Sequence, residues 1–571
     1  MKPIDKTTVA QFLNEYISQL TVQDIEALIE IPPTEIEYTY AFPCFRLAKV
    51  EKKAPKAIAT ELKKKIKLPD FLEEIEAIGP YLNIKVKSKY ILMQIFELNE
   101  DYGRIRLKLG VADEKKKRIV IEYPSPNTNK PLHFGHVRNM LLGKSLSNLL
   151  KYKGHTVFQV NLYNNRGIHI SKSMLAYKKW GNNIQPDKKS DHFVGDYYVK
   201  YAEKLKQDKE LEKEAYELLR LWEAGDEATV ALWNKMNKWV LDGFNKTYEK
   251  LGISFDKEYF ESDLYLRGKE IILDGVNRGI FEKLESGAII ARLKEKYNLE
   301  DKILIRSDGT SIYITQDIYL AYRKKADFDY DRSIYVVGDP QIQHFKWLFA
   351  ILDMLGFEED NYHLSYGMVN LPSGKMKSRE GTVVDADDII EEVETLAFQE
   401  VEKRYPNISS AEKKKRAEII GQSALKFYIL KYSPIKGFVF KPKESISFEG
   451  ETGPYIQYCY ARIASIIKKS ELEITTKINW DLLKHEKEKF LIKELIYFPE
   501  IIDLAEKTYN IHLIAQYLLT LCQLFNSFYS SCQVISEDKK LERARLLLIK
   551  CVQIIIKIGL SMLGIETLEK M

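Results

Sequence analysis

The sequence predicts a protein built around an α/β domain with a Rossmann-type parallel sheet, preceded by a small α+β domain and followed by an all-α domain. Three observations predict this fold class. A strand, a glycine-containing turn, a helix and a second strand follow one another between residues 118 and 162, which is the pattern of a βαβ unit. Further short apolar strands alternate with helices up to about residue 390. Beyond it, apolar residues recur at helical spacing.

Length and composition exclude several classes of protein. The chain has 571 residues, 45% hydrophobic and 30% charged, as expected for about three or four globular domains. Five cysteines without a CxxC pair fit a reduced compartment and predict neither a disulfide scaffold nor a structural zinc site. The N-terminus lacks the apolar core of a signal peptide, and Lys550 and Lys557 interrupt the most apolar late segment. We therefore expect a cytoplasmic protein without a membrane span or a bound structural metal.

Composition divides the chain into three predicted parts. Residues 1–114 alternate short helices and strands and end at a charged linker. Residues 115–390 form the α/β domain, interrupted at about 180–260 by a charged helical insertion, and residues 391–571 form the helical domain. The net charge of +5 does not by itself indicate a nucleic-acid partner. The first part contains a group of lysines that is either a solvated helix face or a nucleic-acid surface: Lys52, Lys53, Lys56, Lys63, Lys64, Lys65 and Lys67.

Apolar runs and turn residues place the elements of the α/β domain. The first strand spans 118–123, and a turn rich in proline and asparagine leads to a helix from about Gly135 to a C-cap at Gly154. The second strand spans 155–162. Further strands are predicted at 302–306, 312–315, 333–337 and 363–369, with a helix at 343–355.

The first strand-to-helix turn contains two histidines, His133 and His136, with Gly135 between them. A helix N-terminus attracts phosphate through its exposed N–H groups and its dipole. Gly135 leaves room for a flat base, and imidazoles can donate to a phosphate that gains charge in its transition state. A pair of surface histidines is the alternative, and the strand–turn–helix context favours phosphate binding. We call His133–His136 the histidine signature.

A second candidate phosphate site is residues 373–382, Ser-Gly-Lys-Met-Lys-Ser-Arg-Glu-Gly-Thr, which we call the basic segment. It follows a predicted strand and includes Lys375, Lys377 and Ser378. A glycine-flanked loop with several cationic donors can close over departing pyrophosphate. Taken alone, such a loop is more often a solvated basic surface. Its combination with the histidine signature favours phosphate binding.

Together the two segments resemble the HIGH and KMSKS signatures of class I aminoacyl-tRNA synthetases. The residues in and around them are similar in sequence to those of arginyl-tRNA synthetases. The resemblance extends from about residue 115 to Met571, and weakly into the first 114 residues. The segments that carry it are 125–136, 313–318, 337–345 and 449–458. The resemblance implies that ATP, with Mg²⁺, activates arginine as arginyl-adenylate. Arginine then passes to the terminal adenosine of its tRNA, and activation itself depends on bound tRNA.

The resemblance also assigns residues to the nucleotide. His133, His136 and Lys130 would act at the phosphates, while Lys377 and Ser378 would close on pyrophosphate. The residues that would hold ATP are His133, Gly135, His136, Lys375 and Lys377. The basic segment is one residue shorter than the full signature, so the second signature lysine is either Lys377 or the upstream Lys130.

For the amino acid, the resemblance implies that Ser125, Asn127 and His136 hold the backbone groups of arginine. Tyr313 and Asp317 lie one helical turn apart if a helix begins there, and a planar guanidinium suits a carboxylate beside an aromatic residue. Gln341 can complete the set of partners. From the residues alone, the commoner roles are a helix N-cap for Asp317 and a core aromatic for Tyr313.

The asparagines after the second strand depart from the family pattern, and the length of the insertion bears on specificity. Asn164 and Asn165 stand where relatives often carry an aspartate, and either can be a structural turn residue. The insertion of about 80 residues is too short for a hydrolytic editing domain. A pocket built around a guanidinium needs none, because a smaller analogue leaves its buried polar groups unpaired.

In the helical domain, Tyr455 and Tyr458 follow Pro454, a residue that often opens a helix. Both rings would then share one face, with Arg462 one turn further on. Two aromatic rings beside a cation can stack unpaired bases, although tyrosines at this spacing are more often core residues. The resemblance implies that this helix borders the anticodon loop and that Tyr529 and Met571 belong to the same surface.

Two other functions are alternatives to the ligation of arginine to tRNA. One is a catalytically silent tRNA-binding relative, and the other is a nucleotidyl transferase of the same superfamily that uses no tRNA. The histidine signature, the basic segment and the Tyr313, Asp317 and Gln341 set argue against the first, and the long helical domain argues against the second. We therefore expect a monomeric enzyme whose partners are ATP, L-arginine and the tRNA for arginine.

Overall fold

The computed structural model describes residues 4–104, 116–370 and 384–571. The chain divides into two compact units. One unit combines residues 1–115 with residues 447–571, and the other comprises residues 116–446. No helix within the described ranges is both long enough and apolar enough to span a bilayer.

The N-terminal part is a small α+β fold, as the sequence predicts. Its three strands form an antiparallel sheet in the order β1-β3-β2, and Gly79, with φ of 59°, turns the chain between β2 and β3. Its elements are α1 (Lys6–Asn14), α2 (Val22–Leu28), β1 (Tyr40–Pro43), α3 (Phe45–Glu51), α4 (Pro55–Lys65), β2 (Leu72–Ile78), β3 (Tyr81–Val86) and α5 (Ser88–Leu98).

The second unit begins with the predicted βαβ pattern. Its first elements are β4 (Arg118–Glu122), α6 (Phe134–Tyr152), β5 (Thr156–Tyr163), α7 (Ile168–Trp180), α8 (Ser190–Leu205), α9 (Glu210–Glu223), α10 (Glu227–Leu251), β6 (Lys257–Phe260), α11 (Glu261–Leu264) and α12 (Gly268–Asn277). Gly154 has φ of 90° just after α6, as a C-terminal glycine should. The predicted insertion is helical up to Leu251, but β6 pairs with β5 and is an edge strand of the main sheet.

The remaining elements of this unit are β7 (Glu282–Lys283), β8 (Ile289–Ala291), α13 (Lys294–Tyr297), β9 (Lys302–Ile305), α14 (Tyr313–Phe328), β10 (Arg332–Gly338), α15 (Ile342–Met354), β11 (Asp360–Tyr366), β12 (Val369–Asn370), α16 (Ala386–Arg404), α17 (Ser410–Leu430), β13 (Phe438–Val439) and α18 (Pro442–Ser445). The main sheet is parallel, in the order β11-β10-β4-β5-β6. The predicted α/β fold class is therefore confirmed.

Two sequence-based predictions differ from these elements. The strand predicted at 312–315 is wrong, because Ile312 caps helix α14 and Ile314 and Ile318 bury their side chains in the core. The strand at 302–306 exists as β9, but it belongs to a separate antiparallel sheet with β7 and β8. A helix start and a short strand both present an apolar residue followed by a polar one, so periodicity over four residues does not separate them.

The helical region after residue 390 also divides differently from the sequence-based domains. Helices α16 and α17 pack against each other and against α6, and the compact unit that contains them extends to Ile446. The last unit boundary thus lies about 55 residues later than the composition change suggested. The helices beyond it are α19 (Gly453–Lys469), α20 (Glu486–Leu495), α21 (Phe498–Thr508), α22 (His512–Ser531) and α23 (Lys539–Met562).

These C-terminal helices pack with the N-terminal fold to form the other unit. The Tyr40 hydroxyl donates to the Glu500 carboxylate at 2.7 Å, and the Tyr497 hydroxyl donates to the Thr39 carbonyl at 2.7 Å. The ammonium of Lys493 donates to carbonyl oxygens of residues 32, 33 and 36. Segments separated by about 460 residues in sequence thus share one core.

Candidate active site

The centre of the parallel sheet is where the chain changes direction. From β4 the chain passes through α6 to β5 on one side, whereas β10 pairs with the other side of β4 and leads through α15 to β11. The carboxyl end of β4 precedes the histidine signature, and that of β10 precedes a short 3₁₀ turn, Asp339–Gln341. Open parallel sheets bind ligands at such a switch point. The two predicted substrate-binding segments therefore begin at neighbouring strand ends.

The turn after β4 is held in place by the turn after β5. Ser125 has a left-handed backbone with φ of 55°, and its N–H donates to the Asn161 side chain at 3.1 Å. The Asn164 side chain donates to the Ser125 carbonyl at 3.0 Å. Asn165 exchanges two hydrogen bonds with Ser262, at 2.9 and 3.0 Å. Both asparagines thus hold neighbouring turns together, and Asn127 lies exposed in the turn that Asn164 supports.

The two signature histidines form a stacked pair at the start of α6. Their ring centroids are 3.7 Å apart, and His136 Nδ1 accepts a hydrogen bond from the His133 N–H at 3.1 Å. Burial lowers the pKa of His133 to about 4 and holds the pKa of His136 well below its usual value, with the charge of Lys130 acting in the same direction. Burial also lowers the pKa of Lys130. At neutral pH the site therefore presents neutral imidazoles, which can donate hydrogen bonds without carrying charge.

The basic segment, with Lys375, Lys377 and Ser378, lies within residues 371–383, outside the described residues. The chain on either side of those residues lies beside the histidine signature. The Phe134 N–H donates to the Val384 carbonyl at 3.1 Å, and the Ala386 N–H donates to the Leu132 carbonyl at 2.9 Å. On the other side, β12 pairs with β13.

Arg138, two residues after His136, fixes the chain before the basic segment. It is fully buried, and its guanidinium donates to the carbonyl oxygens of Gly367, Pro434 and Lys436 at 2.6, 2.9 and 2.9 Å. Burial lowers the pKa of Arg138 to about 10. The helix with the histidines is thus attached to both flanks of the basic segment.

Helix α14 provides the predicted guanidinium partners. Tyr313 is its first residue and is 76% exposed, so the core role considered for it is wrong. Ile312 caps the helix and Asp317 lies one turn inside it, so Asp317 is not an N-cap. Its carboxylate lies 2.7 Å from His344 Nε2, a contact that joins α14 to α15. Gln341 is exposed at the residue before α15. The structure therefore brings the Tyr313 helix and the Gln341 turn together through His344.

Two buried carboxylates at strand ends were missed by the sequence analysis. Glu122 ends β4 and pairs at 2.8 Å with Lys324, which has no exposed surface. Glu261 follows β6. Burial raises the pKa of its carboxyl group, the Arg166 charge lowers this pKa, and the Asp317 charge raises it further. An acidic residue directly after an apolar strand was the available signal, since buried carboxylates at such ends are candidates for function.

The predicted base-stacking residues are partly assembled. Helix α19 begins at Gly453 with Thr452 as its cap and Pro454 in its first turn, as predicted. The Arg462 guanidinium lies 4.6 Å from the Tyr458 ring centroid and 5.0 Å from that of Tyr529, and it donates to the Tyr458 hydroxyl at 2.7 Å. We call these three side chains the aromatic–arginine platform.

The other two residues predicted to contact tRNA, Tyr455 and Met571, are not part of this platform. The Tyr455 hydroxyl accepts from Asn526 on α22 at 2.8 Å, so this ring is partly an interhelix contact. Met571 is buried, with 8% of its surface exposed. Contact of either residue with tRNA stays a prediction.

A parallel sheet with a histidine pair at its switch point, followed by a helical domain, is the arrangement of a class I aminoacyl-tRNA synthetase. Comparison with protein families agrees. Residues 104–441 match the catalytic domain of tRNA synthetases class I (R), and residues 456–571 match the DALR anticodon binding domain. Residues 6–86 match the arginyl tRNA synthetase N terminal domain.

Full-length relatives narrow this class. The chain is 42% identical to the arginine–tRNA ligase of Porphyromonas gingivalis over 96% of both chains. It is 43% identical to that of Borrelia turicatae, over 97% of this chain and 96% of the relative. Among solved structures, Thermus thermophilus arginyl-tRNA synthetase matches with a TM-score of 0.83 at 26% identity, over 99% of this chain and 98% of that one. The chain belongs to the arginyl-tRNA synthetase family.

Proposed function

We propose that this protein ligates L-arginine to its tRNA at the expense of ATP. One observation carries the proposal: the stacked His133–His136 pair lies at the switch point of the sheet, and the adjacent strand leads to the turn and helix that contact Asp317. Family membership supports the same activity. A binding-only protein has no need for an uncharged imidazole pair at a helix start.

In the proposed reaction, an arginine carboxylate oxygen attacks the α-phosphorus of ATP in line. The new P–O bond gives arginyl-adenylate as the bond to pyrophosphate breaks. The 2′-hydroxyl of the terminal adenosine of tRNA then attacks the activated carbonyl and releases AMP. The protein contributes mainly positioning and charge stabilisation. His133 and His136 would donate to phosphate oxygens as negative charge develops on them.

The site assignments are part of the proposal. For ATP and pyrophosphate they are Lys130, His133, Gly135, His136, Lys375, Lys377 and Ser378. For arginine they are Ser125, Asn127, His136, Tyr313, Asp317 and Gln341. His344 supports this set because its ring fixes the Asp317 carboxylate. Either Lys130 or Lys377 serves as the second signature lysine, and only Lys130 lies within the described residues.

Three further assignments complete the proposal. Mg²⁺ would enter with ATP, because this ion usually keeps several waters and binds through substrate phosphates. The enzyme would act as a monomer in the cytoplasm. Its three functional parts would be an N-terminal tRNA-contacting domain, a catalytic domain and an anticodon-binding domain.

Arginine-dependent exchange of labelled pyrophosphate into ATP tests the activity. We expect exchange with arginine in the presence of tRNA, and little exchange with lysine, whose ammonium cannot make a bidentate contact with a carboxylate. Omitting tRNA tests whether activation depends on it. Binding of tRNA without exchange under any of these conditions would favour the silent relative instead.

The aromatic–arginine platform is proposed to stack bases of the anticodon loop. Tyr458→Ala should weaken binding of full-length tRNA about 5- to 150-fold, because one stacked base contributes about 1–3 kcal/mol. Binding of a minihelix without the anticodon arm should not change. The measurement is tRNA affinity by filter binding, with thermal unfolding followed in parallel.

Two variants serve as comparisons. Tyr216→Ala removes a half-exposed ring from α9, in the other unit, and should leave tRNA affinity unchanged. Tyr455→Ala should weaken binding less than Tyr458→Ala, because Asn526 already engages its hydroxyl. Equal losses on the full tRNA and the minihelix would contradict an anticodon role for the platform.

A further inference from the structure

A polar cluster outside the predicted site joins the inserted helices to the start of α16. We call it the Lys189 cluster. The Lys189 ammonium lies 2.7 Å from Asp387, 2.8 Å from Asp191 and 2.8 Å from the Thr247 hydroxyl. Its members are Lys189, Asp191, His192, Thr247, Asp385 and Asp387.

His192 completes the cluster. Its Nε2 atom lies 3.0 Å from an Asp387 oxygen and 3.5 Å from an Asp385 oxygen. The other Asp387 oxygen accepts from the Thr247 hydroxyl at 2.9 Å. Residues of α10 and of the chain at the start of α8 therefore contact one carboxylate at the start of α16.

The spacing of Asp191, His192 and Asp387 would also suit a metal ion. The Lys189 ammonium, however, already supplies the positive charge between the two carboxylates. The junction is closed on the side of Asp191, which has no exposed surface and whose carboxylate would clash with a methyl group on Gly243 of α10. The cluster is therefore an ionic junction that already holds its own cation.

This junction is joined directly to the histidine signature, because Asp385 belongs to the cluster and also pairs with His133. The Asp387 N–H donates to the Asp385 side chain at 2.8 Å. Asp385 forms an antiparallel bridge with His133, and the flanking bonds join Val384 to Phe134 and Ala386 to Leu132. The position of the Asp387 carboxylate thus determines where the chain that supports His133 can lie.

We propose that Lys189 and His192 are positioning residues for adenylate formation. By holding Asp387 and Asp385, they keep residues 384–386 paired with residues 132–134 and so fix His133 at the ATP phosphates. This inference rests on the proposed function, because it takes His133 as a group that acts on ATP. Neither Lys189 nor His192 touches the reacting atoms. Their effect is expected on the nucleotide, since the paired backbone includes His133, which is assigned to ATP alone, and does not include α14.

The test compares Lys189→Met and His192→Gln with the control Lys188→Met. Lys188 is the adjacent residue, and its ammonium pairs with Asp196 away from the cluster. Rates of arginine-dependent pyrophosphate exchange are measured with tRNA present, per titrated active site. We expect kcat/KM for ATP to fall about 10- to 100-fold in Lys189→Met, the scale of a small misplacement of a catalytic group. KM for arginine should stay within about twofold of the wild-type value, because the binding of arginine in the ground state is not altered.

Values for Lys189→Met and His192→Gln that match those of Lys188→Met would overturn the proposal. So would equal rises in KM for ATP and arginine, which indicate general damage to the domain. A wild-type protein without arginine-dependent exchange would instead refute the proposed function.

A double variant decides the matter if Lys189→Met does not fold. Lys189→Gln combined with Asp387→Asn replaces the Lys189–Asp387 pair with two amides. It leaves one carboxylate, Asp191, without the shared ammonium, whereas Lys189→Gln alone leaves both Asp191 and Asp387 without it. We expect this double variant to exchange faster than Lys189→Gln alone. If the losses of the two single variants simply add in the double variant, the cluster does not act as a unit and the proposal fails.

Discussion

Replacing His136 with alanine is expected to lower the first-order rate of adenylate formation about 100-fold or more. The variant loses one preorganised donor to the transition state, and losses of this kind cost about 10²–10³ in rate. It also removes the acceptor for the His133 N–H and the ring that stacks on His133. Single-turnover formation of the adenylate in the presence of tRNA measures the effect without interference from product release.

His155→Ala is a suitable control for this prediction. His155 precedes β5 at the amino end of the strand, whereas His136 lies beyond the carboxyl end of β4, so the two rings are at opposite edges of the parallel sheet. We expect the control to retain the wild-type rate and His136→Ala to retain a cooperative unfolding transition. A single-turnover rate close to wild type in His136→Ala would remove His136 from the phosphate site.

Replacing Asp317 with asparagine is expected to impair the use of arginine far more than that of ATP. A buried cation that loses its carboxylate partner costs about 2–5 kcal/mol. At about 1.4 kcal/mol for each factor of ten, this corresponds to about 30-fold to several thousandfold in kcat/KM for arginine. KM for ATP should change little, because the nucleotide site is built on α6. Steady-state pyrophosphate exchange with each substrate varied in turn separates the two effects.

A matched control for Asp317→Asn lies on the same helix. Asp327 pairs with Lys257 at 2.7 Å near the far end of α14, so Asp327→Asn removes a charge from that helix without changing its first turns. It should leave the kinetics of arginine unchanged. If Asp317→Asn and Asp327→Asn behave alike, the role of Asp317 is limited to its contact with His344.

Local sequence was sufficient where residues close in the chain decide the structure. The histidine signature, the helix that follows it and the opening of α19 at Gly453 and Pro454 were all predictable from turn residues and periodicity. The pairing of Arg462 with Tyr458 follows from four-residue helical spacing. The two segments proposed to bind the nucleotide could likewise be recognised in the sequence, because each of them is short and continuous.

Contacts between distant segments could not be predicted in this way. The Asp317–His344 contact joins two helices through a turn whose geometry depends on the sheet. The Lys189 cluster joins residues about 200 positions apart, and nothing in the local sequence around Lys189 distinguishes it from other insertion lysines. Glu122 and Glu261 stood at strand ends, but their burial becomes evident only once the neighbouring strands are in place.

The shared core of residues 1–115 and 447–571 has a consequence for synthesis on the ribosome. Thr39 and Tyr40 find their partners, Tyr497 and Glu500, only after about 450 further residues have been translated. At roughly 5–20 residues per second, that interval is about 20 to 90 s. The N-terminal fold must therefore wait with an uncovered face while residues 116–446 emerge and fold. Nascent chains stalled before α20 should expose this face to chaperones, and release of the last helix should close it.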